Sequence, residues 1–282
     1  MGVDGVYART ALYAAVFDRL EACITRQRDP KAEVLRFPPV MSRRQLEKSG
    51  YLASFPNLLA CVCALHGTEG AIRAAADAGG AGGDWTQSLT ASDLVLSPAA
   101  CYPVYPMVAE RGPLPGGGLL FDVEADVFRH EPSRNLDRLQ SFRMREFVRV
   151  GPPQEIMEFR EGWMARARVL AAELELPCTL EVASDPFFGR IGQVMAVSQL
   201  QQELKFELSI RYHAAALPTA CMSFNCHREH FAQAWGIRDS QGDIANSGCV
   251  AFGVDRLTVA LFAVHGLDLD RWPRATRHAL DL

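Results

Sequence analysis

Residues 128–151 carry the densest chemistry in this 282-residue chain. Phe128-Arg129-His130-Glu131 closes an apolar run over residues 119–127. After a polar bend over residues 132–138, Gln140, Phe142, Met144, Glu146, Val148 and Val150 recur at period two. Two such runs joined by a polar bend predict a hairpin. Parity puts Arg129 and Glu131 on one face of the first strand, and Phe142 and Glu146 on one face of the second. A cation, two carboxylates and an aromatic ring thus meet on one surface. A second cluster, Cys221, Cys226, His227 and His230, places four potential zinc ligands within ten residues. Its second pair follows the first too closely for a zinc finger, and both histidines fit the solvent side of a helix start.

The order Phe-Arg-x-Glu, polar loop, Arg138, Phe142, Glu146 resembles motif 2 of the class II aminoacyl-tRNA synthetases, the seryl enzymes in particular. Downstream, Asn246-Ser247-Gly248-Cys249 and Gly253-Val254-Asp255-Arg256-Leu257 resemble their motif 3. Leu35-Arg36-Phe37-Pro38-Pro39-Val40 stands where the dimer-forming motif 1 belongs, an extended turn being the other reading. Over residues 30–265 the chain is similar to a truncated seryl-synthetase-like group, the amino acid:carrier protein ligases. The resemblance implies an α+β fold, a class II antiparallel sheet flanked by helices. It also implies one catalytic domain over residues 1–282, with an N-terminal helix in residues 1–30 and a C-terminal tail in residues 264–282, assembled as a homodimer.

The same resemblance implies residue roles. Arg129 contacts the α-phosphate of ATP, Arg138 and Arg256 hold the γ-phosphate, Phe142 stacks on adenine and Glu131 accepts from its amino group. Arg129, Glu131 and Arg256 form the catalytic set. Cys101, Glu146 and Cys249 match the zinc ligands of those ligases, and three protein ligands leave a tetrahedral Zn2+ one position for a substrate amine. The alternative is two ordinary buried thiols, with Glu146 paired to Arg143 or Arg145. A surface ion-pair cluster is likewise the alternative for Arg129 and Arg138 taken singly. Thr219 occupies the place of a magnesium-binding glutamate, which leaves Glu207 as the substitute for Mg2+ beside ATP. Asp185 and Lys205 are expected at the substrate. The implied reaction activates glycine or alanine with ATP and transfers it to the phosphopantetheine thiol of a carrier protein. Acylation of tRNA and a non-catalytic regulatory paralogue are the rivals. A formal charge of −4 leaves no cationic footprint for RNA, and the presence of Arg129, Glu131, Phe142 and Arg256 favours an enzyme.

The elements that position these residues follow from pattern. With 49% hydrophobic and 22% charged residues, the chain is of ordinary globular composition. Eight dispersed cysteines, with no targeting segment and no bilayer-spanning run, point to reduced thiols in a cytoplasm and no membrane partner. Leu12, Val16, Leu20 and Ile24 predict an amphipathic helix over residues 7–28. A capped short helix is expected over 42–49, and a buried apolar run over 58–65 with Cys61 and Cys63 in the core. A helix and surface loop follow over 67–83, then a buried strand over 94–101 delivering Cys101. The glycines of 113–118 have no lysine or helix after them and predict a turn, not a phosphate cradle. A long helix is expected over 152–176, strands over 179–182 and 201–208, a turn over 185–189 and a helix over 230–236. In the tail, Arg271 and Arg274 offer a basic patch for an acidic carrier.

Overall fold

The structure, a computed structural model, describes residues 2–212 and 217–282. In chain order it comprises α1 (Ala11–Arg26), β1 (Glu33–Arg36), β2 (Val40–Ser42), α2 (Arg43–Lys48), α3 (Tyr51–Ser54), β3 (Cys61–Leu65), α4 (Glu69–Gly80), β4 (Leu89–Leu96) and α5 (Val104–Glu110). There follow β5 (Leu119–Phe128), β6 (Ser141–Gly151), α6 (Pro153–Glu173), β7 (Cys178–Val182), α7 (Gly189–Gln201) and β8 (Lys205–Ile210). The chain closes with β9 (Thr219–Arg228), α8 (His230–Trp235), β10 (Asn246–Gly253), α9 (Val254–His265) and α10 (Arg274–Leu280). Among the described residues, no helix is long and apolar enough to cross a membrane.

Seven strands form the main sheet in the order β1-β5-β6-β10-β9-β8-β7. All neighbours pair antiparallel except β1, which runs parallel to β5. The predicted hairpin is β5–β6, in register from Leu119 opposite Val150 to Phe128 opposite Ser141. Gly118, at φ +65°, turns the chain into β5 where an added Cβ would collide with the Val150 carbonyl.

Period two divides β6 between two cores. Phe142, Met144, Val148 and Val150 pack with α5 and α8 on one face, here called the front. Phe147 packs on the back with residues of α1, α6 and α9. Local chemistry starts the helices that cover these faces. Thr10 Oγ1 accepts from the Tyr13 N–H to cap α1, Ser42 does the same for α2, and Pro153 stands at the first position of α6, where no amide hydrogen is needed.

Four expectations change. Residues 58–65 are not buried throughout: Cys61 and Cys63 are exposed. They lie on β3, an edge of the separate sheet β2-β4-β3, outside its buried cluster of Met41, Leu46, Tyr51, Leu58 and Val95, so no second layer covers them. The strand expected over 94–101 is β4, ending at Leu96 with Leu94 at 43% exposure, and Cys101 comes from the turn beyond it. Residues 201–208 begin as the end of helix α7, and the strand starts only at Lys205, after Glu203 takes a left-handed backbone at φ +50°. Lastly, the segment after α9 is no appended tail. Its Trp272 and Leu280 are buried in the back core, with α10 against α1.

Candidate active site

A cavity of ≈ 580 Å³ opens on the front face. Strands β6, β8, β9 and β10 floor it, and α7, the turn after β4 and residues 49–58 wall it. Register sets its deepest point. Cys249 stands opposite Val148 on β6 and Asn225 on β9, while Glu146 stands opposite Ala251, two residues along. Both side chains therefore share the front face. Cys101 arrives from the turn, and its backbone N–H donates to Glu146 Oε1 at 3.0 Å. The potential ligand atoms of Cys101, Glu146 and Cys249 all lie within 4.8 Å of one another, and all three residues are buried.

Burial weighs heavily in the electrostatics of this triad. Burial pushes the Glu146 carboxyl above its usual range. The Cys101 thiol is raised well above its ordinary value, first by its contact with Cys249 and then by burial. Contact with Cys101 eases Cys249 downward, but burial and Glu146 outweigh it and leave that thiol raised. Two thiols and a carboxylate that repel one another's anions are a donor set that could hold a divalent cation, and soft sulfurs suit zinc.

Neighbouring groups brace the triad. Asn225 Nδ2 donates to Cys249 Sγ at 3.3 Å, and His227 Nε2 lies 3.7 Å from the same sulfur. The other ring nitrogen of His227 meets Ser247 Oγ at 3.1 Å and the Tyr105 hydroxyl at 3.2 Å. Burial, reinforced by His230, pulls His227 down to about 4, so the ring is neutral at pH 7. His227 thus faces inward, not to solvent as its sequence position suggested. His230 is exposed, with Nε2 on the Ser49 carbonyl at 3.2 Å. Among the described residues, Cys221, Cys226, His227 and His230 do not gather as a metal-binding group.

Arg129, Phe142 and Arg256 lie on the same cavity. Arg129 is fixed by its Nε on the Pro98 carbonyl at 3.1 Å, with its guanidinium 5.7 Å from the Phe142 ring centre. Arg256, from the first turn of α9, donates to the Asp137 and Ala220 carbonyls, each at 2.9 Å. Glu131 and Arg138 sit apart from the cavity wall and pair with each other at 2.9 Å. Lys205 Nζ meets Asp185 at 2.6 Å and Glu207 at 2.8 Å. Burial opposes both charges of the first pair, yet Lys205 holds the Asp185 carboxyl below its usual range while Asp185 and Glu207 hold the Lys205 amine above its own. Glu146 pairs with neither Arg143 nor Arg145, because those alternate residues point to the back, onto Glu124, Asp126 and Asp122.

No protein-family model matches the chain. Over all 282 residues it is 64% identical to amino acid--[acyl-carrier-protein] ligase 1 of Bradyrhizobium diazoefficiens, covering 86% of that protein. It is 60% identical to ligase 2 of the same organism, covering 84%. The chain belongs to this ligase family. Type-2 serine--tRNA ligase of Methanopyrus kandleri is 28% identical over 214 residues, 40% of its length. The solved structure of M. kandleri seryl-tRNA synthetase with Aquifex aeolicus tRNASec has the same fold, with a TM-score of 0.84 at 23% identity over 100% of this ligase and 57% of that chain. Seryl-tRNA synthetase of Pyrococcus horikoshii, solved with ATP, gives 0.70 at 17% identity over 99% and 58%. The ligase therefore has the class II synthetase fold, α+β with helices on an antiparallel sheet.

Sequence reasoning missed several residues at the ligase's cavity. Asn225 and His227 were legible as alternate positions of β9. Helix α7 was not legible, since its apolar side chains point outward: Ile191 is 78% exposed, Val194 69% and Val197 52%. Gln199 on α7 accepts from the Asp185 N–H at 2.6 Å and donates to its carboxylate at 2.9 Å, tying this helix to the Lys205 cluster.

Proposed function

We propose that this ligase, acting as a cytoplasmic homodimer, activates glycine or alanine with ATP and transfers it to the phosphopantetheine thiol of a carrier protein. The observation that carries the reading is the buried Cys101–Glu146–Cys249 triad on the same cavity as Arg129, Phe142 and Arg256. In activation, a carboxylate oxygen of the amino acid bonds to the α-phosphorus and the bond to pyrophosphate breaks. Arg129 is placed to offset the charge that rearranges there, Arg256 to hold the departing phosphates and Phe142 to stack on the base. Zinc held by the triad would bind the substrate amine. Glu207 lines the cavity with its Oε1 on Lys205 Nζ at 2.8 Å, and its other carboxylate oxygen would serve Mg2+. In transfer, the carrier's sulfur bonds to the acyl carbon, AMP leaves and the thiol proton passes to solvent.

Arg271 and Arg274 belong to the segment packed on the back of the sheet, away from the cavity. The surface a carrier meets at the cavity rim is the outward apolar side of α7, whose inner side, with Met195 and Gln199, lines the cavity. We propose the dimer contact at β1, an edge strand of the main sheet where Val34 is 44% exposed.

Amino-acid-dependent pyrophosphate exchange across all twenty amino acids tests activation, with glycine or alanine expected to give the signal. Radiolabelled amino acid should then appear on a phosphopantetheinylated carrier as a hydroxylamine-labile thioester, leaving tRNA unlabelled. Labelled tRNA, or equal labelling of a carrier lacking its prosthetic group, overturns the reading.

A further inference from the structure

Resting on that reading, we infer that Tyr51 contacts substrate in the activation step, its phenol hydroxyl donating to an anionic oxygen at the aminoacyl–phosphate junction of the adenylate. Six buried side-chain polar atoms among the described residues have no hydrogen-bond partner, and of these only the Tyr51 hydroxyl belongs to a residue on the cavity wall. An unpartnered buried hydroxyl costs about 1–3 kcal/mol, so one that survives at a cavity is a group awaiting a ligand.

Everything that fixes this side chain is apolar or backbone. Its ring packs edge-on against Tyr102 at 5.6 Å and tilted against Phe55 at 5.2 Å. The preceding residue, Gly50, turns the chain at φ +80°. Just upstream, the Trp235 indole N–H donates to Ser49 Oγ at 3.2 Å, and His230 meets the Ser49 carbonyl. The ring is thus held rigidly by contacts that leave its hydroxyl free.

Position identifies the ligand chemistry. Tyr51 lines the same cavity as Arg129, the arginine assigned to the α-phosphate, and the Asp185–Lys205 pair, and its hydroxyl lies in the fields of Arg129, Glu131 and Asp185. Burial first, with the two carboxylates, pushes it up to about 12, so it stays protonated and acts as a donor. A donor placed there matches an acyl-phosphate oxygen. The acyl-adenylate joins a carboxyl and a phosphate at that point, and a hydrogen bond to a charged oxygen is worth about 1.5–3 kcal/mol.

The test is Tyr51→Phe, which removes one oxygen that bonds nothing in the protein. Its thermal unfolding and zinc content should match the unsubstituted enzyme. Pyrophosphate exchange with the cognate amino acid, and affinity for 5′-O-(glycylsulfamoyl)adenosine or its alanyl counterpart, should each fall by about 10- to 100-fold. Unchanged exchange and unchanged analogue affinity overturn the inference. So does loss of the fold, which would make the hydroxyl structural, and so does a defect confined to carrier transfer, which would assign it to the acceptor. Exchange absent from the unsubstituted enzyme with every amino acid would instead fell the reading of the site, and this inference with it.

Discussion

Arg145 and Glu146 are neighbours on β6 and end in opposite electrostatic situations. On the back of the sheet, Arg145 is 1% exposed and grips the fully buried Asp122 with two bonds, of 2.9 and 2.6 Å. Its remaining donors reach the Glu21 carbonyl at 3.0 Å and Thr25 Oγ1 at 2.6 Å. Arg28 and Arg36 add further charge to Asp122. The Asp122 carboxylate thus has its counter-charge within the protein. On the front, Glu146 faces two thiols, and burial helps raise all three groups above their ordinary values. A satisfied buried ion network rigidifies a fold, while a buried donor set without a counter-charge is one that a cation could complete. The difference teaches that burial of charge alone does not mark a functional site; the state of its partners does.

The contrast breaks most sharply at Cys249. Replacing it by alanine should abolish the roughly one tightly bound zinc per chain expected of the triad, together with amino-acid activation, as read by metal analysis and pyrophosphate exchange. Full zinc in Cys249→Ala, with loss in Cys226→Ala, would move the metal elsewhere.

On the same cavity, Arg129→Ala should lower exchange by about 100- to 1000-fold while zinc and the unfolding midpoint stay in place. Equal exchange in variant and parent would refute the phosphate contact.

At the back, Asp122→Ala strands the Arg145 cation and should cost about 3–5 kcal/mol in denaturant unfolding. Zinc should remain bound to the fraction still folded. A large loss of zinc from folded Asp122→Ala protein would show that the two faces are not independent.

A smaller effect is expected at the rim. Ile191→Asp on the outer side of α7 should leave activation intact and slow transfer to the carrier by about 10-fold, the scale of losing one apolar anchor. Parent-like transfer rates would remove α7 from the docking surface.

The smallest effect concerns Glu21, behind β5 and β6. Burial, with Glu124 beside it, raises its carboxyl from the ordinary range to about 7. The folded state then binds a proton that the unfolded state has released, so stability falls as pH rises from about 4.5 to 7. Glu21→Gln should relieve this, raising the thermal midpoint at pH 8 by ~2 °C relative to its effect at pH 5. An equal shift at both pH values would show that Glu21 does not titrate in that window.

Much of the hairpin was legible because strand parity is a property of the local backbone. Period two alone placed Phe142 and Glu146 on one face, and β5–β6 has that arrangement. Capped helices α1 and α2 and proline-started α6 were legible for the same local reason. Cys61 and Cys63 were misjudged because an apolar run does not reveal whether a second layer lies over it. Helix α7 was missed because its apolar residues, Ile191, Val194 and Val197 among them, are exposed and mark no buried face.

By itself, then, the sequence determined the strand faces, the helix starts and, through its motifs, the class II likeness. Only the tertiary structure decided that Cys101 meets Glu146 across 45 residues, that His227 and not its neighbours turns toward Cys249, and that the Tyr51 hydroxyl is left without a partner on the cavity wall. Facing and capping are set within a few residues of backbone. Closing distant segments onto one point depends on how every layer packs, and no single stretch of sequence carries that information.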